Sequence, residues 1–247
     1  MRNAMGFVLI HGGGLESWVW ERVIPQLELP AITAHRIPPA ANWKMLSLEE
    51  CTRFVERQIT DAEMNKAIIV AHSIGGVIAR ELAILAPQLV EGIVFLSANV
   101  PIAGKSSLST LPLAQRIELA IGQWLAKWNL TPVKAVQRYI AETLCHDLDA
   151  AATRQMLERG TNPEPTALFF EPTSRFPFPN VPCTYVKLTN DRALHPSVQE
   201  QMAARINANV VTIASGHTVM LSCPQELAEV LNRVAHDVLP CAKLTAQ

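Results

Sequence analysis

Two apolar segments of different kinds flank the hexapeptide Ala71-His72-Ser73-Ile74-Gly75-Gly76. The segment before it, Ala67-Ile68-Ile69-Val70, is continuously apolar, as in a strand that is buried on both faces. The segment after it, residues 77–83, has a helical composition. A serine at such a junction is either the N-cap of a helix or a nucleophile held on a sharp turn. The pattern small-x-Ser-x-Gly is too frequent to distinguish these two possibilities by itself.

Six short apolar segments predict six strands. They span residues 6–10, 31–37, 67–71, 92–97, 183–189 and 210–214. Segments with helical periodicity lie between or after them, at residues 17–29, 48–64, 74–85, 197–206 and 224–238. Strands that alternate with helices imply right-handed crossovers and a parallel sheet. We therefore expect a single α/β domain over residues 1–247, with a mostly parallel six-stranded sheet flanked by helices.

The alternation stops between residues 100 and 180, where no strand is predicted. Residues 111–128, 131–144 and 148–159 have helical patterns, and Thr131-Pro132 is a favourable helix start. Residues 163–182 are rich in proline and resemble a loop. An insertion of this size after the fourth strand predicts a helical cap over the carboxyl edge of the sheet.

A glycine-rich run and three polar residues directly follow predicted strands. The run His11-Gly12-Gly13-Gly14 follows the first strand, Ser73 the third, Asp191 the fifth and His217 the sixth. Each has an ordinary structural interpretation when taken alone, such as a tight turn or a loop residue. Functional sites of parallel sheets lie at the carboxyl ends of the strands. In the chain order Ser, Asp, His, these residues predict a nucleophile, an orienting acid and a general base.

The glycine-rich run does not have the spacing of a phosphate-binding loop, because neither G-x-G-x-x-G nor G-K-[ST] is present. It matches instead the loop that donates a backbone N–H to an oxyanion. The expected donors are the amides of Gly13 and of Ile74, the residue after the predicted nucleophile. His11 and Gly12 are expected to contact the substrate.

Other polar residues near strand ends are assigned structural roles. Asn99 follows the fourth strand, where some triads place their acid, but an amide carries no negative charge, so Asp191 is preferred. His195 precedes Pro196 and is expected to cap a helix, and His72 is expected to pack against its surroundings. We find no H-E-x-x-H motif, cysteine–histidine cluster or paired carboxylates, so neither a metal nor a cofactor is expected.

Composition narrows the range of partners. The formal net charge is −1, with both signs scattered along the chain, which argues against a nucleic acid or an anionic membrane surface as partner. No apolar stretch approaches the roughly 20 residues of a membrane span. The five cysteines form no C-x-x-C pair, and no signal-peptide pattern is evident, so reduced thiols and a cytoplasmic location are expected. The oligomeric state, monomer or homodimer, stays open.

Several quoted stretches together resemble the α/β-hydrolase superfamily. Within it the chain is similar to a small group that includes plant methyl-ester hydrolases, hydroxynitrile lyases and bacterial carboxylesterases such as pyrethroid hydrolases. The resemblance runs from residue 6 to about residue 238, except for the cap. Beside the hexapeptide, its carriers are Phe7-Val8-Leu9-Ile10-His11-Gly12, Trp18-Val19-Trp20, Val181-Pro182, Gly216-His217-Thr218 and Pro224-Gln225-Glu226-Leu227.

This resemblance implies the hydrolysis of a small carboxylic ester through an acyl-enzyme. Ser73 stands where dehalogenases and epoxide hydrolases of the fold have aspartate, which implies acyl transfer. Gly12 and Thr218 stand where hydroxynitrile lyases usually carry threonine and lysine, which favours ester hydrolysis. A lyase or a cofactor-free oxygenase on the same scaffold, or a ligand receptor without turnover, remain the alternatives.

Aromatic residues in the predicted cap bear on the substrate. Trp124 and Trp128 are one helical turn apart and therefore share a helix face. If that face lines the site rather than a core, the preferred substrate is largely apolar.

Overall fold

The computed structural model describes residues 4–39, 41–128, 130, 132–159 and 164–238. Six strands form one sheet, and every neighbouring pair is parallel. The strands are β1 (Ala4–Ile10), β2 (Ala31–Ala34), β3 (Met64–His72), β4 (Val90–Leu96), β5 (Cys183–Leu188) and β6 (Asn209–Ile213). The prediction of a six-stranded parallel α/β fold is confirmed.

The strand order is β2-β1-β3-β4-β5-β6, so the chain changes direction across the sheet between β1 and β3. A crevice forms outside the carboxyl ends of the strands at such a switch point, because the loops leaving the two strands turn to opposite sides. The loop at residues 11–14 and the turn at Ser73 leave β1 and β3 at this position.

Nine α-helices accompany the sheet in the described ranges. They are α1 (Leu48–Asp61), α2 (Gly75–Leu85), α3 (Leu113–Lys127), α4 (Val133–Tyr139), α5 (Ala150–Arg159), α6 (Ala167–Phe170), α7 (Pro196–Arg205), α8 (Val219–Ser222) and α9 (Pro224–Val238). A π-helical segment, Ile140–Leu144, continues α4.

Alternate side chains of the central strands point to opposite faces of the sheet and pack into two separate cores. Val8 and Ile10 of β1 face α1, α2 and α7, whereas Phe7 and Leu9 face α8, α9 and the buried segment 18–20. Because successive side chains of a strand point to opposite faces, a strand covered by helices on both faces is apolar throughout. This explains the continuous apolar stretches that predicted the strands.

The prediction of one helix over residues 17–29 is wrong. Two short 3₁₀ helices, Ser17–Trp20 and Ile24–Gln26, occupy this segment. Pro25 lies in the second, and a proline has no N–H to donate and disfavours the helical conformation of the residue before it. The strand predicted over residues 31–37 is also shorter and ends at Ala34.

Residues between β4 and β5 form an insertion that contains α3 to α6. The predicted helices at 111–128 and 148–159 correspond to α3 and α5, and the one at 131–144 to α4 and the π-helical segment. Thr131 and Pro163, which bounded two of these predictions, lie outside the described residues. The proline-rich segment includes α6, and Pro172 forms an isolated bridge with Ser106. The single-domain organisation and the cap stay predictions.

The described cysteines, Cys51, Cys145, Cys183 and Cys223, are free thiols, and Cys241 lies outside the described residues. Within the described ranges, none of the helices has the length and apolar character that crossing a membrane requires.

Candidate active site

Ser73 lies in the turn between β3 and α2, with a backbone φ of +54°. This left-handed conformation is unfavourable for a residue with a side chain and needs support from its surroundings. The Ser73 N–H donates to the Leu96 carbonyl (3.2 Å), and the Ser73 carbonyl accepts from the Asn99 N–H (2.9 Å). The segment after β4 therefore holds the turn from one side.

The two glycines after Ser73 allow α2 to begin against its neighbours. A Cβ on Gly75 would lie 3.1 Å from the His11 carbonyl oxygen, and one on Gly76 would lie 2.4 Å from the Asn99 carbonyl oxygen. A side chain does not fit at either position without moving backbone atoms. The chain therefore makes a sharp turn at Ser73, between β3 and α2.

His217 and Asp191 are joined by a short hydrogen bond between Nδ1 and Oδ2 (2.6 Å), and both side chains are buried. Asp191 follows β5 and His217 follows β6, so these neighbouring strands bring them together. Oδ1 of Asp191 accepts from the backbone N–H groups of Ala193 (2.7 Å) and Leu194 (2.9 Å). The carboxylate is therefore fixed in position.

Burial raises the pKa of Asp191. The effects of His217 and of the hydrogen bonds from Ser97 and Leu194 are opposite and larger in sum, and they lower the pKa to about 2. The carboxylate is consequently ionised at neutral pH and accepts a hydrogen bond from the Nδ1–H of His217. In the neutral imidazole, this leaves Nε2 as the acceptor nitrogen, which is the tautomer that a general base requires.

Ser97 was not predicted as a site residue, although it lies at the end of the predicted fourth strand. Its hydroxyl donates to Oδ2 of Asp191 (2.6 Å), the same oxygen that accepts from His217. Its position at the carboxyl end of a strand is the signal that could have identified it. Asn99 has a different role, because its Oδ1 accepts from the Thr110 hydroxyl (3.0 Å).

His72 packs against the His217 ring, with centroids 4.6 Å apart. Burial lowers the pKa of His72 well below its usual value, so its ring is neutral, and its Nε2–H donates to the His217 carbonyl oxygen (2.9 Å). The residue before Ser73 thus holds the His217 loop against the turn. A Cβ on Gly12 would lie 2.5 Å from Nδ1 of His72 and 3.0 Å from the Ser73 Cβ, so the loop after β1 also lies against this turn.

Gly13, one of the two residues predicted to donate to an oxyanion, lies against the side chain of the other, Ile74. A Cβ on Gly13 would lie 3.5 Å from Cγ2 of Ile74. Ile74 itself directly precedes α2, where backbone N–H groups and the helix dipole favour negative charge.

A buried ion pair that the sequence did not reveal lies beside this loop. Nη2 of Arg36 is 2.5 Å from Oε1 of Glu164, 2.9 Å from the Gly12 carbonyl oxygen and 3.1 Å from Nδ1 of His11. Glu164 belongs to the insertion and also accepts from the Gly14 N–H (2.8 Å). The two charged residues are 128 positions apart, and no local pattern connects them.

Burial shifts the pKa of Glu164 and that of the neighbouring His11. Burial raises the pKa of Glu164, while Arg36 and the Gly14 N–H oppose that rise. Burial also lowers the pKa of His11 well below its usual value, and the Arg36 charge adds to that effect.

The insertion contacts the His217 loop as well. Asp147 accepts a hydrogen bond from the Gly216 N–H, and the Thr218 hydroxyl donates to the Leu144 carbonyl (2.7 Å). These contacts fix the residues on both sides of His217.

The predicted substrate residues fall into two groups. His11 and Gly12 lie beside the Ser73 turn, whereas Trp124 and Trp128 are 58% and 61% exposed. A role in substrate binding stays a prediction for all four. His195 caps α7, as expected, by accepting from the Ser197 N–H. Among the described side chains, no three His, Cys, Asp or Glu are grouped to hold a metal ion.

Comparison with known proteins gives a consistent result. Salicylic acid-binding protein 2 of Nicotiana tabacum is 25% identical over 265 residues, which cover 96% of this chain and 99% of that protein. Methylesterase 7 of Arabidopsis thaliana is 34% identical over 108 residues, which span only 40% of this chain and 42% of that protein. A pyrethroid hydrolase of Sphingobium wenxiniae is 23% identical, with 91% and 85% covered.

Solved structures share the fold. An extracellular alpha/beta-hydrolase from a Paenibacillus species superposes with a TM-score of 0.80 at 20% identity, covering 93% of this chain and 98% of that one. The pyrethroid hydrolase PytH gives a TM-score of 0.74 at 22% identity, covering 94% and 98%. The family model for the alpha/beta hydrolase family matches residues 7–230. With its parallel sheet and the residues at its strand ends, the chain therefore belongs to the alpha/beta hydrolase family.

Proposed function

We propose that the protein hydrolyses the carboxylic ester of a small, largely apolar molecule through an acyl-enzyme. The observation that carries this proposal is the buried Asp191–His217 hydrogen bond, held by His72 against the strained turn that presents Ser73. Relatives named methylesterase, esterase and pyrethroid hydrolase support ester cleavage as the reaction.

In the proposed reaction, the Ser73 hydroxyl attacks the ester carbonyl while His217 Nε2 takes its proton. The carbonyl oxygen becomes an oxyanion that accepts hydrogen bonds from the N–H groups of Gly13 and Ile74. The tetrahedral intermediate expels the alcohol, which takes the proton from His217. Water then attacks acyl-Ser73 and gives a proton to His217. The bond between the acyl carbon and the Ser73 oxygen breaks, the acid leaves, and His217 returns the proton to Ser73. Asp191 orients the imidazole and stabilises its charged form throughout.

Two further features support an uncharged substrate and a cap over the site. The charged side chains beside the oxyanion loop, Arg36 and Glu164, are paired with each other rather than free to bind an ionic substrate. Glu164 and Asp147 connect the insertion to the loops that carry the proposed donors and base. We accordingly propose that the insertion, at about residues 100–180, is a cap over the site.

The test is a Ser73→Ala variant assayed on p-nitrophenyl esters of graded acyl length. We expect kcat to fall by about 10⁴-fold or more, because removing a triad nucleophile has effects of this size. Thermal unfolding should be unchanged. Ser197→Ala removes an exposed hydroxyl at the start of α7 and should keep wild-type kcat.

Mass spectrometry of wild type quenched during turnover should show an acyl group on Ser73. Turnover by Ser73→Ala at the wild-type rate would contradict the proposal. Turnover that requires Ser73 but forms no acyl-enzyme would favour a lyase or an oxygenase on the same scaffold. A melting temperature that rises with ligand, with no turnover, would favour a receptor.

A further inference from the structure

We propose that Arg36 is a positioning residue that sets the orientation of the Gly12–Gly13 peptide and so aims the Gly13 N–H at the developing oxyanion. This inference rests on the proposed function, because Gly13 is a donor only if Ser73 attacks a carbonyl. It adds to that function a buried ion pair on which the oxyanion hole depends, between Arg36, which follows β2, and Glu164 of the insertion.

The Gly12–Gly13 peptide bond links the Arg36 contact to the proposed donor. The Gly12 carbonyl and the Gly13 N–H belong to the same peptide unit, and in a trans peptide these two groups point in opposite directions. No cis peptide occurs in the described chain. Nη2 of Arg36 donates to the Gly12 carbonyl (2.9 Å), so the Gly13 N–H is directed away from the Arg36 side chain.

Without the Arg36 contact, the Gly12–Gly13 peptide would be free to rotate. Glycine populates positive and negative φ with similar ease, so a peptide between two glycines rotates at low cost. On the Ser73 side, the His72 ring, the Ser73 Cβ and the Ile74 side chain lie near the two glycines. Among the described residues, none of these groups forms a hydrogen bond with the Gly12–Gly13 peptide. Nδ1 of His11 (3.1 Å) and the Leu15 N–H (3.3 Å) also reach the Gly12 carbonyl, but at longer distances. The Arg36 contact is the shortest of the three and the one from a charged group.

Arg36 is itself held in place by Glu164. Oε1 of Glu164 accepts from Nη2 of Arg36 and from the Gly14 N–H, so one carboxylate oxygen holds the loop on both sides of Gly13. The Arg36 and Glu164 side chains are 1% and 6% exposed. Charge-assisted hydrogen bonds at such depth are stronger and less screened than those at the surface.

The experiment uses four variants, Arg36→Met, Arg36→Lys, Glu164→Gln and the double variant Arg36→Met/Glu164→Gln, with p-nitrophenyl hexanoate as substrate. The probe for the oxyanion hole is 1,1,1-trifluoroheptan-2-one, whose acyl chain matches that substrate. Its carbonyl carbon bonds to the Ser73 oxygen as the serine proton moves to His217, and the resulting hemiketal oxyanion takes the place of the reaction intermediate. Arg53→Met, which removes an exposed arginine paired with Glu49 on α1, is the matched control.

We expect Arg36→Met to lower kcat by about 10- to 100-fold, somewhat less than the loss of an oxyanion donor, with KM changed by less than about two-fold. The inhibition constant of the ketone should rise by the same factor as kcat falls. Arg36→Lys, which retains a charged donor, should recover part of both. Arg53→Met should match wild type.

The double variant separates positioning from the penalty of an unpaired buried charge. In Arg36→Met, Glu164 loses its partner and stability falls; in Arg36→Met/Glu164→Gln that charge is gone and the melting temperature should recover. The structure-based expectation is that kcat stays low. Recovery of kcat to the wild-type value in the double variant would overturn the inference, as would a low kcat with unchanged affinity for the ketone.

Failure of the proposed function has a different signature. If Ser73→Ala hydrolyses the same ester as fast as wild type, the acyl-enzyme mechanism fails whatever Arg36 does. If Ser73→Ala is inactive while the double variant turns over at the wild-type rate, only the role of Arg36 fails.

Discussion

Ser97 illustrates how a residue outside the proposed reaction can support it. Its hydroxyl donates to the Asp191 oxygen that also accepts from His217, and the hydroxyl is buried. We expect Ser97→Ala to lower the free energy of unfolding by about 1–3 kcal/mol, because a buried carboxylate loses one charge-assisted hydrogen bond. Urea denaturation at pH 7 measures the change. The control is Ser109→Ala. The Ser109 hydroxyl donates to a backbone carbonyl at a half-buried position, so its removal should lower the free energy of unfolding by less. Equal losses would contradict the assignment.

Asp191 should make the stability of the protein depend on pH in the acid range. Its pKa is about 2 in the folded protein against an ordinary value of 3.8. The ionised group therefore stabilises the fold above about pH 4 by about 2 kcal/mol, and this contribution is lost as the pH falls through the folded pKa. Urea unfolding of wild type and Asp191→Asn from pH 2 to pH 6 tests it. The stability difference between them should shrink towards pH 2, and a constant difference would contradict the prediction.

At the scale of elements, two glycines in helices should respond to alanine with opposite signs. A Cβ on Gly76 in α2 would lie 2.4 Å from the Asn99 carbonyl oxygen, so Gly76→Ala forces backbone apart and should destabilise by about 1–3 kcal/mol. Gly122 in α3 is exposed, and a Cβ there meets nothing within 4 Å. Gly122→Ala should stabilise by up to about 1 kcal/mol through helix propensity. Thermal unfolding of both variants measures the signs, and the same sign for both would be inconsistent with this packing.

Helices with an uninterrupted apolar stripe were predicted well. Segments in which a proline or a tertiary contact opposes the helical pattern were not. The helix predicted at residues 224–238 coincides with α9, because a proline start and an apolar stripe fix its position. The segment at residues 17–29 has a similar apolar content, yet Pro25 breaks it into two 3₁₀ turns. The π-helical end of α4 has no sequence signature of its own; it lies where the Leu144 carbonyl accepts from the Thr218 hydroxyl.

At the scale of the whole molecule, the insertion and the sheet share the loops of the candidate site. Asp147 connects the insertion to Gly216, next to the proposed base. We expect Asp147→Ala to lower kcat by roughly ten-fold, since a small displacement of a catalytic group can cost up to about 100-fold. Steady-state kinetics with a p-nitrophenyl ester measure the change.

Asp149→Ala is the matched control for that prediction. Asp149 lies in the same segment and accepts from the Ala152 N–H at the start of α5, without a hydrogen bond to the site loops among the described residues. Its loss should reduce stability by about 1 kcal/mol and leave kcat unchanged. A similar loss of kcat in both variants would show that general loosening of the insertion, rather than the Gly216 contact, is responsible.

The amino-acid sequence was enough to predict the parallel sheet and the positions of Ser73, Asp191 and His217 at strand ends. Both follow from local rules: buried strands are apolar throughout, and parallel strands bring their carboxyl ends to one edge. Only the tertiary structure revealed the partners that hold those residues. Ser97, Arg36 and Glu164 come from distant parts of the chain, and a hydrogen bond or a buried ion pair between distant residues has no local pattern, because it exists only where packing brings the two groups together.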